Sequence, residues 1–373
     1  MFTLTSLTRR GFVRAAIAAA CACGSGVVLG ACSSGSDAAQ NASADIGTRG
    51  ESPTANVSSS VSDEQSQAWL EQDPLTRKLF YFDTVISLTA YCDDDLMNKV
   101  AARCQYFENT FSRTIEGTDV WRINEAQGRT VEVTEETADI ISKALGYCRE
   151  TDGLFDITIG SVTTLWDFAL GIKPDDADIQ EAVKHVDYTK VSVDTDKLTV
   201  TVSDPDTKID LGGIAKGYIA DDLARMFAEG GCKSASINLG GNAYVLGKKA
   251  GTTDWAIGIQ DPNGRVSSFI ASLKGADVSV VTSGLYERNF TLDGVEYYHI
   301  LDPKTGYPVE TDLVASSVIS ASSLDGDVYA TTMFLMGHDA ALEFIEQRDG
   351  FEGLVVDEDG TVTMTSGAPL TLK

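Results

Sequence analysis

An α+β fold, with mixed and antiparallel sheets flanked by helices, is what this 373-residue sequence predicts. Helix-period and strand-period segments are intermixed, but they do not alternate as the βαβ units of a doubly wound sheet would. From Ser234 onward short strand patterns follow one another, at 234–239, 243–247, 254–260, 268–274, 277–283, 296–301 and 314–320. Helical patterns then return at 325–336 and 339–348, before a last hairpin at 353–357 and 361–365 turned by Asp359-Gly360.

The first half reads in the same way. Residues 79–91, aromatic and β-branched, make a strand pair or one long bent strand. Leu96 to Phe111 has helical spacing. Thr134 caps a second helix over 135–150, with acids in its first turn and Arg149 near its end. A glycine turn and a β-like run holding Asp156 occupy 151–160, a short helix 175–185, and strands 191–202 and 208–211. Ile219, Leu223 and Met226 then mark the apolar face of a helix that opens directly after Gly212-Gly213.

Thr8-Arg9-Arg10-Gly11-Phe12 has the twin-arginine form, and an alanine-rich apolar run follows it to a lipobox-like Leu29-Gly30-Ala31-Cys32. The stretch from Arg14 to Cys32 is short for a stable membrane span, which needs about 20 apolar residues. The expectation is a signal peptide over 1–31, a lipidated Cys32 that anchors an extracytoplasmic protein to the membrane, a flexible tether over 32–71, and a folded domain over 72–373.

The formal charge of -26 excludes nucleic acid as a natural partner, because phosphate binding needs a basic face. An anionic ligand would need a divalent cation, or a few placed amides and lysines. Of seven cysteines, Cys92, Cys104, Cys148 and Cys232 lie in the folded part. None has zinc-site spacing, and their pairing is not legible in sequence. The chain contains no phosphate-binding P-loop, no nucleophile elbow and no His-Glu-x-x-His, and three histidines exclude a histidine-rich metal centre.

Four stretches carry placed polar groups. Ile209-Asp-Leu-Gly-Gly-Ile-Ala-Lys216 ends a strand on Asp210 and enters a helix through two glycines, an arrangement suited to a polyanion: close backbone approach, free helix N-terminal amides and a mobile lysine. Ser236-Ile-Asn-Leu-Gly-Gly-Asn242 ends a strand in two glycines. Tyr298-His299-Ile-Leu-Asp302-Pro-Lys-Thr-Gly306 runs a strand into a turn. Asp327 and Thr331, four apart, share one helical face and offer oxygen ligands for a hard cation such as Mg²⁺. Singly, each also reads as ordinary turn or cap chemistry.

Jointly, the sequence resembles the ApbE family of flavin transferases. The matching stretches are Asp83-Thr84 after an aromatic strand, Thr151 to Asp156, Ile209 to Asp221, Ile237 to Asn242, His299 to Pro308 and Asp327 to Thr331, in the family's order. The resemblance implies an Mg²⁺-dependent enzyme that takes FAD outside the cytoplasm. It would move the FMN half onto a Thr or Ser hydroxyl of a redox protein carrying an Asp-Gly-x-x-Ala-Thr/Ser-type site, with release of AMP. By position, Phe82, Thr114, Leu154, Phe155, Asp156, Asp210, Lys216 and Leu301 are implied to line the FAD site, and Gly213 (through its carbonyl), Asp327 and Thr331 to hold the metal. His299 is implied to assist the acceptor hydroxyl, and an unperturbed imidazole pKa near ~6.5 suits that role near neutrality. Phe82 stands where methionine is frequent, and Thr114 where an aromatic is common. Two other readings use the same site: hydrolysis of FAD to FMN and AMP, and a lipoprotein that binds FAD without chemistry.

Overall fold

The computed structural model describes residues 61–264 and 268–373. The expected signal peptide, Cys32 and the tether as far as residue 60 lie outside the described residues. The central sheet has eight strands that follow one another in chain order. They are β1 (Leu75–Tyr81), β2 (Thr84–Ala90), β3 (Ala235–Leu239), β4 (Asn242–Leu246), β5 (Val278–Gly284), β6 (Leu313–Ser320), β7 (Glu352–Asp357) and β8 (Val362–Met364). Every neighbouring pair is antiparallel, so the sheet is a meander interrupted by long insertions.

Both faces of this sheet are covered. Helix α1 (Asp94–Phe111) lies against β1, while α2 (Glu135–Glu150) packs on a small sheet of strands 131–132, 191–194 and 199–202. Helix α3 (Ala215–Glu229) covers β3 and β4, α4 (Ser323–Met336) covers β5 and β6, and α5 (His338–Glu346) covers β7. On the other face lies a three-stranded sheet formed by 255–260, 269–275 and 371–372. Strand alternation divides the apolar residues accordingly. Val281, Val318 and Val355 join the helix-side core, and their neighbours Val280, Ile319 and Leu354 join the second core with Trp255, Ile257 and Leu273.

The helix starts follow from their caps. Asp93 accepts the Leu96 amide at 2.9 Å to begin α1, and Thr134 caps α2 as its sequence predicts. The start of α4 is held from another helix: the Asp221 carboxylate of α3 accepts the amides of Ser323 at 2.8 Å and Leu324 at 3.0 Å. At that crossing α3 presents Gly217, where a β-carbon would stand 2.3 Å from the Ser323 carbonyl oxygen. A buried ion cluster fixes the other side of α3: Arg103 of α1 bonds Asp222 at 2.8 Å and Glu136 of α2 at 2.9 Å.

Three expectations need correction. The 208–211 segment is extended but joins no ladder beyond an isolated bridge from Lys208 to Ile159. Its backbone is served by side chains and loops instead. Asn124 brackets Ile209 with bonds of 2.7 and 2.9 Å, Ser161 accepts the Lys208 amide, and Ile157 accepts that of Asp210. Asp63–Leu70, expected to belong to the tether, is a helix capped by Ser62; Trp69 is buried, and Asp63 pairs with Lys233 at 2.9 Å. One buried aromatic anchors a segment whose average composition is polar. The strand before His299 is half of a hairpin whose first arm, Asn289–Leu292, has no clear period-2 pattern.

Two glycines test this packing. Gly217→Ala should destabilise the protein by roughly 1–3 kcal/mol, because backbone lies where the methyl group would go. Gly146→Ala, inside α2 with open space around it, should stabilise by roughly 0.5–1 kcal/mol. Denaturant midpoints at a constant m-value measure both.

Candidate functional site

The α3–α4 crossing assembles the site. With its β-carbon gone, Gly217 lets its own amide donate to Asp327 Oδ2 at 2.9 Å. Asp327 is buried, and its Oδ1 faces the Lys216 ammonium at 3.6 Å. One turn on, Thr331 Oγ1 lies 3.2 Å from the Ser283 hydroxyl of β5. Gly213 sits over the Phe155 ring and beside Thr331: a β-carbon there would be 3.1 Å from the ring edge and 4.0 Å from Thr331 Oγ1. Gly213, Lys216, Asp327, Thr331 and Phe155 therefore meet in one place. The amides expected to meet an anion are partly committed, since Gly217 N serves Asp327 and Gly212 N serves Asp210 Oδ1 at 2.8 Å.

Asp210 is the second anchor. Its Oδ2 accepts from the Thr163 hydroxyl at 2.9 Å and pairs with Arg113 Nε at 3.0 Å. Burial pushes this carboxyl up, but Arg113, the Gly212 amide, Thr163 and Arg288 together outweigh it and leave it below its ordinary range. Asp156 is turned inward instead. Thr158 donates to its Oδ1 from amide and hydroxyl at 2.7 and 2.6 Å, and the Tyr188 amide reaches Oδ2 at 3.0 Å. Burial raises its pKa against those donors, so it organises the 151–160 turn and the 188 backbone.

The remaining sequence candidates are distributed around this centre. Phe82 occupies the β1–β2 hairpin turn with positive φ; its amide donates to Glu108 and its carbonyl accepts from Arg288 at 3.3 Å. Leu154 is half-buried in the loop before Phe155. Leu301 is buried in a separate small core with Val162, Trp166 and Ile179. Thr114 is exposed, and its hydroxyl turns back to Ser112 Oγ at 3.2 Å. The residue that reaches the site from this segment is Arg113, one position earlier: Ser112 leaves α1 in extended conformation and swings the next side chain toward Asp210.

Sequence reasoning passed over Arg113, Thr163, Ser283, Glu287 and Arg288. Arg288 could have been found as a cation ahead of the His299 strand, whereas the others carry no sequence signal beyond their residue type. Glu287 lies against the Gly240-Gly241 turn, where a β-carbon on Gly241 would be 2.9 Å from its Oε1. Burial lifts its carboxyl to about 7, with Lys216 and Arg288 opposing and Asp327 adding to the rise. His299 departs from the expected imidazole near neutrality. Burial first, then Arg288 and Lys216, pushes it down to about 3. Its Nδ1 is buried, which leaves Nε2 as the working nitrogen.

Comparison with known proteins gives one consistent answer. The sequence model of the ApbE family matches residues 82–355. A Klebsiella pneumoniae FAD:protein FMN transferase is 34% identical over 277 residues, covering 74% of this chain and 86% of the relative. A Treponema pallidum protein of the same name is 32% identical over 246 residues, covering 61% and 67%. The crystal structure of an ApbE protein from Thermotoga maritima superposes with a TM-score of 0.72 at 31% identity, over 79% of this chain and 97% of that one. A Vibrio cholerae flavin transferase, at 22% identity and a TM-score of 0.69, shares the fold.

The two shifted groups act on stability in opposite directions. His299 has a folded pKa below its unfolded value, so its contribution is complete above about 6.5 and is lost as pH falls toward about 3. Glu287 has a raised folded pKa, so its contribution is complete below about 4.5 and is lost as pH rises through about 7. Relative to wild type, His299→Gln should remove roughly 2 kcal/mol of the stability loss between pH 6.5 and 4, and Glu287→Gln a similar loss between pH 5 and 7.5. Urea titrations across pH, in the presence of a chelator, read both.

Proposed function

The chain belongs to the ApbE family, and from that premise we propose that it is an FAD:protein FMN transferase. It takes FAD with Mg²⁺, transfers the FMN half to a Thr or Ser hydroxyl of an acceptor protein, and releases AMP. One observation carries the reading: the α3–α4 crossing gathers Lys216, Asp327, Thr331 and Gly213 around a single point, with Arg113 and Arg288 close by. In a chain of charge -26, that is a local concentration of cations and oxygen ligands fit for a pyrophosphate.

The donor set fits Mg²⁺. Asp327 offers one carboxylate, Thr331 a hydroxyl and Gly213 a carbonyl, all hard oxygens, and a single carboxylate matches a cation that completes its shell with substrate phosphate. When bound there, the ion would neutralise phosphate charge and polarise the phosphorus under attack. The protein's own groups supply the rest. Lys216 and Arg288 attract the anionic oxygens, and the amides of Gly212 and Gly217 keep Asp210 and Asp327 oriented. His299 Nε2 takes the proton of the acceptor hydroxyl. Two of the causes that hold its pKa low are Lys216 and Arg288; pairing of these cations with a pyrophosphate would ease that hold, and a bound Mg²⁺ would act against the change.

The acceptor is read as an exported or membrane redox protein with an Asp-Gly-x-x-Ala-Thr/Ser-type site. The enzyme is placed outside the cytoplasm on a lipid at Cys32, a reading supported by the twin-arginine segment and the lipobox-like cysteine. Hydrolysis of FAD at the same site differs only in the nucleophile that reaches the phosphorus.

Incubating the protein with FAD, Mg²⁺ and an acceptor domain, and following product masses, tests the proposal. The expected result is an acceptor heavier by one FMN, with AMP formed in equal amount. Asp327→Asn should lower this rate by about a hundredfold or more. FMN and AMP released without acceptor labelling would make the protein a hydrolase. Bound FAD with no turnover would make it a carrier.

A further inference from the structure

Among the described cysteines, Cys92 and Cys232 stand apart from Cys104 and Cys148. Cys92 follows β2 and precedes Asp93, the N-cap of α1. Cys232 closes the C-terminal cap of α3, where Gly231 has a φ of +85° and the Cys232 amide donates to the Phe227 carbonyl at 2.9 Å. The β2–β3 register brings these two ends together. Ala90 pairs with Ala235, and one step on the Tyr91 amide donates to the Ser234 carbonyl at 2.9 Å. Cys92 and Cys232, both buried and both free thiols, therefore adjoin at neighbouring strand ends, and the Cys232 thiol lies 3.2 Å from the Ser234 carbonyl. Cys104 is held alone, its thiol toward the Val100 carbonyl at 3.6 Å, and Cys148 is fully buried in α2.

We infer that Cys92 and Cys232 form a disulfide that staples the start of α1 to the end of α3. Both sulfurs sit on backbone fixed by caps and a strand pair, so the bond forms without unfolding either helix. The oxidant is a small-molecule or protein disulfide. A thiolate of the pair attacks one sulfur of that disulfide, forming a mixed disulfide and expelling one thiol. The second thiolate then attacks the bound cysteine sulfur and expels the other thiol. Two protons and two electrons leave the pair, and the oxidant departs as two thiols.

The staple bears on the site through α3. The same two helices are already bound by the Arg103–Asp222 ion pair at 2.8 Å, and the opposite end of α3 carries Lys216 just after the Gly213 turn. Closing the long loop between residues 92 and 232 restricts the unfolded chain, so the oxidised protein should melt higher while its site geometry is unchanged.

The test treats the reduced protein with glutathione disulfide at neutral pH, alkylates remaining thiols in denaturant, and digests without reductant for mass spectrometry. The expected product is a cross-linked peptide pair joined at Cys92 and Cys232, with Cys104 and Cys148 fully alkylated. Oxidation should raise Tm by roughly 5 °C or more, reversibly with dithiothreitol. In the Cys92→Ser/Cys232→Ser double variant, whose reduced-state Tm serves as its own reference, oxidant should leave Tm unmoved. Cys92 and Cys232 recovered alkylated, a glutathione adduct that never resolves to the cross-link, or an equal Tm rise in the double variant would each overturn the assignment.

Discussion

The close approach of two helices at Gly217 is the constraint on which the site depends. Helix α4 starts against α3 with a carbonyl where a side chain would otherwise be. That proximity lets the Gly217 amide reach Asp327 and lets Asp221 cap the first turn of α4. Neither bond is possible at the ordinary spacing of 8–10 Å between helix axes with a larger residue between them. The sheet holds α4 close on its other side as well, where Gly326 leaves no more than 3.0 Å between a would-be β-carbon and Val281. Asp327 and Thr331 are thus carried to Gly213 and Lys216 by packing, and the chemistry follows from the backbone geometry.

Charge is arranged around that crossing in two shells. The carboxylates of Asp210 and Asp327 take backbone amides from the glycine turn and the first turn of α3, which orients both of them. The cations Lys216, Arg113 and Arg288 then stand outside them. In the proposed reading an anionic substrate would meet side-chain cations, with helix amides acting one step removed through the carboxylates they hold. Burial first, and then Arg288 and Lys216, hold the His299 pKa down, and the same two cations oppose the burial that raises Glu287. Substrate charge and proton affinity at the site are therefore coupled, and a bound anion changes the basicity of groups it does not touch.

The helix caps connect this site to the rest of the molecule. Arg103 ties α1, α2 and α3 in the core, while the cysteine pair lies where α1 begins and α3 ends.

Much of this was legible in the residues themselves. Apolar periodicity located most strands from 235 onward, though not 289–292 or 371–372, and placed helices at 96–111, 135–150 and 325–336 within two residues of those observed, because burial on a sheet or helix face imposes that spacing locally. Asp327 with Thr331, and Asp210 with Gly213 and Lys216, stood out because their spacing within one helix or turn already puts them on one face. Other features rest on contacts between distant segments, which no local pattern encodes. The Arg113–Asp210 pair, the inward turn of Asp156, the Asn124 bracket around Ile209 and the docking of Trp69 are all of this kind. So is the proton affinity of His299, set by burial and by two cations from other elements. The sequence by itself determined which chemical groups are present and which local elements carry them. Their distances, their protonation and their partners were decided by tertiary packing, because Coulomb and hydrogen-bond energies depend on separations of a few ångströms between residues far apart in the chain.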